Sequence, residues 1–446
     1  MIPTHHLEAL LEFLRFPSIS TDSSCRDDMH ACADWLAGRL RAAGLEAEIH
    51  PTGGHPAIIA KSAHRDGRPT VLIYGHYDVQ PADPLDLWIH PPFEPHIENG
   101  IVFARGATDN KGQILAHVLG VAETLEAEGE LPVNILFLIE GEEEIGSIHL
   151  EAFLLEHREE LACDIAAVSD TGMLGRGIPT FTYGLRGIAC AELLVQGPAQ
   201  DLHSGIYGGA VANPATAVAR LIHSLHDQKG RVAVPGFYDR VRSLESWERE
   251  AWESLPYGDS EILELTGAPE LFGEQGFSSL ERVWGRPTAE VNGIGGGYQG
   301  EGSKTVIPSI SMAKLSFRLV PDQDPVETLE LVRRHFESQC PPGIRIAFRP
   351  GHCGRPYLMD PHDPYGRAAA NALESTFGRS PCFIREGGSI PIIRTIRDLL
   401  GANTLMLGLA LPDCRAHSPN ENFPLENFEA GIRLNRHLLA ALAEPG

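Results

Sequence analysis

Residues 133–147 read VNILFLIEGEEEIGS. A strand with one solvated face alternates apolar and polar residues; the stretch from Val133 to Glu140 is nearly continuous in Val, Ile and Leu instead. That pattern marks a strand buried on both faces, as in the middle of an α/β sheet. Working outward, VLIYGH (71–76), IVFA (101–104) and AAVSD (166–170) read as further strands. Between them, Ile114, Leu115, Val118 and Leu125 mark one helix, and Leu150, Phe153, Leu154 and His157 another. Strands alternating with helices predict an α/β domain with a mixed sheet, and ligands of such sheets gather where strands end.

After Tyr183 the texture changes. A strand, IACAELLVQ (188–196), precedes a helix carrying Ala215, Val218, Leu221, Ile222 and Leu225. Then come the alternating strand SMAKLSFRLV (311–320), a helix through Val326, Leu329, Val332 and Phe336, and the strand IRIAF (344–348). This β-α-β-α-β order predicts an inserted α+β, ferredoxin-like domain with an antiparallel sheet. The stretch from Val232 to Ile307 is too long for a plain loop and is expected to hold extra helices. Past Gly354 the α/β rhythm resumes, with helices over 368–377 and 425–442 flanking NTLMLGLAL (403–411). The expected organisation is one domain of residues 1–183 and 354–446, interrupted by an insertion over 184–353.

The chain of 446 residues is 43% hydrophobic and 22% charged, which suits a large globular core. A net charge of −24 repels phosphate backbones and anionic lipid, so neither nucleic acid nor membrane is expected as a partner. The eight cysteines form no C-x-x-C pair, and the N-terminal Leu7, Leu10, Leu11 and Leu14 are interrupted by Glu8 and Glu12. Both features predict a cytoplasmic protein with reduced thiols.

Five segments place His, Asp or Glu at or just beyond a predicted strand end: YGHYDV, RGATDNKG, EGEEEIGS, VSDTG and RAHSPNE. In the first, period 2 puts His76 and Asp78 on one side, so Asp78 can hold the imidazole by its second nitrogen. Asp109 sits in a Gly-flanked turn before a helix, Asp170 ends its strand, and His417 follows NTLMLGLAL. Taken singly, each has an ordinary role: H-x-D is common, an acidic run is usually a solvated face, and a strand-end Asp caps or turns. Their joint occurrence points to a cation, and oxygen and nitrogen donors without thiolates suit Zn²⁺, Mn²⁺ or Co²⁺.

These five segments, in this order, resemble the dinuclear zinc peptidase family that includes carnosine dipeptidase, aminoacylase and the glutamate-releasing carboxypeptidases. DLHSGIYGG, GEGSKTVIP, FRLVP, REGGSIP and AHSPNE are similar to the cytosolic dipeptidase branch. The resemblance implies a zinc-exopeptidase-like catalytic domain with an inserted lid or dimerisation domain, and two divalent metal ions per subunit. His76, Asp109 and Asp170 would hold one metal and Asp109, Glu144 and His417 the other, with the Asp109–Asn110 peptide cis. Glu143 would be the general base, and Asp78 would support the site. Two dications against three ligand carboxylates leave one positive charge, which favours a bridging hydroxide. The same resemblance gives His203 a role in stabilising the oxyanion from the other subunit of a homodimer. It also assigns Thr305, Arg318 and Ser389 to substrate binding, Arg318 through a bidentate pairing with carboxylate.

The activity that follows is hydrolysis of dipeptides or short peptides with a free C-terminal carboxylate. Two alternatives stay open at this point: an N-acyl amino acid deacylase using the same centre, and a non-catalytic metal-linked binding protein.

Overall fold

The computed structural model describes residues 2–388 and 390–445; Ser389 lies outside them. The chain divides into two compact units. One comprises Met1–Tyr183, Met359–Ile384 and Ile392–Gly446; the other comprises Gly184–Leu358 and Arg385–Pro391. The second unit therefore takes the segment Arg385–Pro391, which the sequence reading placed in the first domain.

The first unit is built on a mixed sheet. Across its width run Glu46–His50, Ala57–Lys61, Asn134–Glu140, Thr70–His76, Ile165–Val168, Asn403–Met406 and Thr180–Leu185. The middle four are mutually parallel, with His76 opposite Glu140 and Val168 opposite both Tyr74 and Met406. The flanking strands are antiparallel. Every residue of Asn134–Glu140 is buried, as its unbroken apolar run requires. The carboxyl ends of the four parallel strands are thereby brought side by side.

Helix Lys111–Glu128 is buried along most of its length and packs against the C-terminal helix Leu425–Ala443. Gly120 makes that approach possible, because a Cβ there would stand 2.4 Å from Cβ of Asn435. IVFA forms a strand, Ile101–Phe103, but outside the large sheet: it pairs with His96–Glu98 and with Asn422–Pro424. Its partner Asn422–Pro424 is so distant in sequence that local pattern cannot reveal the pairing.

His117, in the buried helix, is 3% exposed; its Nε2 lies 2.8 Å from Ser169 Oγ, and Asn435 bonds its other nitrogen. Burial pushes its pKa down to about 4. Below pH ~6.5 the unfolded chain takes up a proton at this position and the folded chain does not until about pH 4. The folded state should therefore lose up to about 3 kcal/mol between those limits on acidification. Urea titrations should show a shallower fall in stability from pH 6.5 to 4.5 for His117→Gln than for the native protein; parallel curves would contradict the assignment.

The second unit has a four-stranded antiparallel sheet in the order Thr288–Gly296, Ile310–Leu319, Gly187–Gln196, Arg345–Gly354. Helices Pro214–His223 and Pro325–Gln339 cover one face, around a core that includes Leu193, Val195, Leu221, Phe317, Val332 and Phe336. The long segment carries three helices, Ser246–Glu253, Asp259–Thr266 and Ser279–Gly285, and then the edge strand Thr288–Gly296. The sequence reading missed that strand because TAEVNGIGG is rich in glycine and largely exposed. Among the described residues no helix is long and apolar enough to cross a membrane.

Candidate metal centre

Three of the five segments follow parallel strands of the large sheet directly. His76 ends Thr70–His76, Glu143 and Glu144 open a short 3₁₀ turn after Asn134–Glu140, and Asp170 follows Ile165–Val168. His417 lies in the loop after Asn403–Met406. Asp109 arrives differently, in the loop between the small-sheet strand Ile101–Phe103 and helix Lys111–Glu128, rather than at an end of the large sheet.

These elements converge. His76, Asp109 and Asp170 present donor atoms within 4.8 Å of one another, as do Asp109, Glu144 and His417. Asp109 is common to both groups, and its two oxygens face opposite ways: Oδ1 is 3.2 Å from His76 Nε2, and Oδ2 is 2.8 Å from His417 Nε2. Asp170 Oδ1 lies 3.8 Å from His76 Nε2, and Glu144 Oε2 lies 3.3 Å from His417 Nε2.

The surroundings hold each group in place. Asp78 accepts from the backbone N–H groups of Glu143 and Glu144 at 3.2 and 3.1 Å, which fixes the acidic turn beside His76. The nearest acceptor to His76 Nδ1 is the Asp78 main-chain oxygen at 3.0 Å; the carboxylate stands at 3.4 Å. Asp78 thus orients the imidazole mainly through its backbone, while its side chain serves the turn. The Asp109–Asn110 peptide is cis, and the Asn110 amide donates to Ser169 O at 2.7 Å and to Asp170 Oδ1 at 2.9 Å. His417 is in the left-handed region at φ 59°, as are Arg415 and Asn420 in the same loop, a conformation costly for residues other than glycine.

Several supports escaped the sequence reading. The carboxylate of Glu421, 0% exposed, accepts from the N–H groups of Gly106, Thr108 and Asp109 and pairs with Arg105 at 2.7 Å. Gln80 donates to Glu144 Oε2 at 2.8 Å. Glu140 accepts from Tyr74 and Ser147. Glu142, the first acid of the run, is buried and turned to other partners, His149 Nδ1 at 2.8 Å and the His55 N–H at 3.0 Å. Glu421 belongs to AHSPNE, but nothing in that motif signals a partner more than 300 residues away.

The electrostatics of this cluster are unbalanced. Burial, and then repulsion from Asp109, pushes Glu144 up to about 7. Burial also raises Glu143 well above the usual carboxylate range, with Asp170, Asp109 and Glu144 adding to the effect. Asp170 is raised by burial too. Asp109 goes the other way: burial opposes its charge, but the imidazoles of His417 and His76 against its two oxygens hold it well below its ordinary value. His417 is raised to about 9, chiefly by Asp109. His76 Nε2 and Glu144 Oε1 are buried with no hydrogen-bond partner among the described residues, although each faces opposite or like charge at close range. A divalent cation in each group would satisfy both atoms and neutralise the crowded acids, so the residues present fit a pair of metal ions.

Of the remaining sequence-predicted residues, His203, Thr305 and Arg318 lie in the second unit. His203 and Thr305 are neighbours on a two-stranded ribbon, Leu202–His203 with Val306–Ile307, where the Ser204 N–H donates to Thr305 O at 3.1 Å. Both are exposed. Arg318 lines a cavity of about 380 Å³ inside that unit, together with Arg186, Arg282, Arg286, Glu274 and Glu290. Ser389 falls outside the described residues.

The model of peptidase family M20/M25/M40 matches residues 72–441. A Cys-Gly metallodipeptidase of Schizosaccharomyces pombe is 34% identical over 434 residues, covering 94% of this chain and 91% of the relative. The human Beta-Ala-His dipeptidase is 32% identical over 408 residues, covering 90% and 80%. Among solved structures, an M20 family metallo-carboxypeptidase from Sulfolobus solfataricus superposes with a TM-score of 0.84 at 32% identity, covering 99% of this chain and 100% of the other.

Proposed function

The chain belongs to peptidase family M20/M25/M40, and on that premise we propose that it hydrolyses dipeptides or short peptides with a free C-terminal carboxylate, in a metal-dependent reaction. The observation that carries this reading is Asp109, whose two oxygens each face a different histidine at the junction of two donor groups. His76, Asp109 and Asp170 would hold one ion, and Asp109, Glu144 and His417 the other. The oxygen and nitrogen donors suit Zn²⁺, with Mn²⁺ or Co²⁺ as substitutes. Bound there, the ions would supply Lewis acidity toward the peptide carbonyl and acidify water.

The protein's own groups do the rest. Glu143 belongs to neither donor group, and among the described residues no side chain donates a hydrogen bond to its carboxylate. It is free to accept a proton from water and return it to the leaving amine, and its raised affinity for protons suits that exchange. Arg318 would pair with the substrate carboxylate. The cavity around it is rich in guanidinium groups, and Glu274 is already engaged bidentately by Arg286, so positive charge is in surplus on a chain of net charge −24. Burial and then Arg318 lower Arg186 to about 10, which also favours an anion in that cavity. Thr305 and Ser389 would complete substrate binding.

Purified protein loaded with Zn²⁺, Mn²⁺ or Co²⁺ should cleave Ala-Ala or Cys-Gly faster than N-acetyl amino acids. Much faster turnover of the acylated compounds would favour a deacylase, and no turnover in a broad amide panel would favour a binding protein.

The reading includes a homodimer formed through the second unit, with His203 stabilising the oxyanion across subunits. Thr288–Gly296 supports it as an edge strand with Val291 and Ile294 exposed, an unpaired surface of the kind a second chain covers. Mixing inactive His203→Ala with inactive Glu143→Ala protein under subunit exchange should restore part of the activity, since one site in each mixed dimer would be intact. Exchanged heterodimers without activity would contradict a shared site. A cytoplasmic location is supported by the cysteines, all eight of which are free. The strongly negative charge supports a small peptide substrate rather than a nucleic-acid or membrane partner.

A further inference from the structure

Apart from the centre at Asp109, the first unit brings together another group of metal-ligating side chains. The sequence WIHPPFEPHIE (88–98) crosses from a loop into the small antiparallel sheet. His96 and Glu98 are two apart on the strand His96–Glu98, so both project from one side. His90 is brought over them by the preceding loop. Donor atoms of the three residues lie within 4.8 Å of one another, and the two imidazole rings stack at 3.7 Å between centroids. Among the described residues none of the three side chains has a hydrogen bond or ion pair. Two imidazoles and a carboxylate thus converge with nothing to engage their lone pairs.

The backbone that carries them is held in place. Pro91, Pro92 and Pro95 restrict the loop. The Asn420 side chain accepts from the Ile89 N–H at 2.8 Å and donates to Leu87 O at 2.9 Å; the Trp88 indole donates to Ala82 O at 2.7 Å, and the Arg105 N–H to Pro92 O at 2.8 Å. The strand is fixed by pairing His96 with Phe103 and Glu98 with Ile101. Little ordering is left for a ligand to impose, which favours binding.

We propose that His90, His96 and Glu98 form a further metal site, which takes a first-row transition dication such as Zn²⁺ and clamps the loop before Pro91 to the His96–Glu98 strand. Two imidazole nitrogens select such an ion over Mg²⁺ or Ca²⁺, and three protein donors leave coordination positions for water. The site shares no residue with the groups around Asp109, so it stands or falls independently of the catalytic reading.

Untagged protein stripped with chelator and equilibrated with Zn²⁺ should retain one zinc per chain more than the His90→Ala/His96→Ala double variant, by elemental analysis and by calorimetric titration. Glu98→Ala should bind that additional zinc at least about tenfold more weakly. Equal zinc content and superimposable titrations for native and double variant would overturn the proposal. A second measurement needs no variant: Zn²⁺ should protect both His90 and His96 from carbethoxylation by diethyl pyrocarbonate, mapped by mass spectrometry. Equal labelling with and without zinc would also overturn it.

Discussion

Glu143→Ala is expected to reduce kcat by at least about 10²–10⁴-fold, the range lost when a positioned general base is removed. kcat/KM should fall in parallel, because the group acts on the transition state rather than on substrate affinity. Metal content should not change. Glu143 belongs to neither donor group, and the turn is held by its backbone N–H on Asp78, which alanine preserves. Stability gives an independent readout. The carboxylate is penalised by burial and repelled by Asp170, Asp109 and Glu144, so the metal-free variant should be as stable as the native protein or more so. A variant that loses its metal along with its activity would make Glu143 a ligand; one that keeps its activity would assign the base elsewhere.

Glu421→Ala is expected to cause the largest loss of stability, about 3–5 kcal/mol, the usual cost of leaving one partner of a buried ion pair uncompensated. Arg105 is 1% exposed and would have no carboxylate, and the N–H groups of Gly106, Thr108 and Asp109 would lose their acceptor. Because those N–H groups shape the loop presenting Asp109, metal affinity should fall as well. Urea denaturation of metal-free protein and competitive metal titration measure the two effects. A double replacement by methionine at Arg105 and Glu421 discriminates further. If Glu421 mattered only as an ion-pair partner, the double variant would regain most of the stability. If it clamps the loop, as the three N–H contacts indicate, the double variant stays destabilised with its metal affinity reduced.

The parts of this molecule legible in the sequence are those where local pattern and burial coincide. Asn134–Glu140 is readable because both its faces are buried and its residues declare it. Gly187–Gln196 is readable because burial alternates along it. Thr288–Gly296 is not, since an exposed, glycine-rich edge strand carries no apolar signal. NTLMLGLAL reads as one long strand, yet only Asn403–Met406 is one; the buried residues that follow turn toward the loop of His417.

At the centre, His76, Asp109, Asp170 and His417 stand out as residue types at predicted strand ends. The distinction between Glu143 and Glu144 came from the family resemblance, because spacing alone cannot order neighbouring acids. What stayed hidden was the support. Arg105 with Glu421, Asn110 with Asp170 and Gln80 with Glu144 are contacts between residues far apart in the chain, and no local pattern signals any of the three pairings.

The account rests on two cations sharing Asp109. The most direct measurement is an anomalous difference map from crystals of zinc-loaded protein, collected on both sides of the zinc absorption edge. It should show two peaks beside Asp109, one among His76, Asp109 and Asp170 and the other among Asp109, Glu144 and His417. A single peak, or density that leaves Asp109 without an ion, would contradict it.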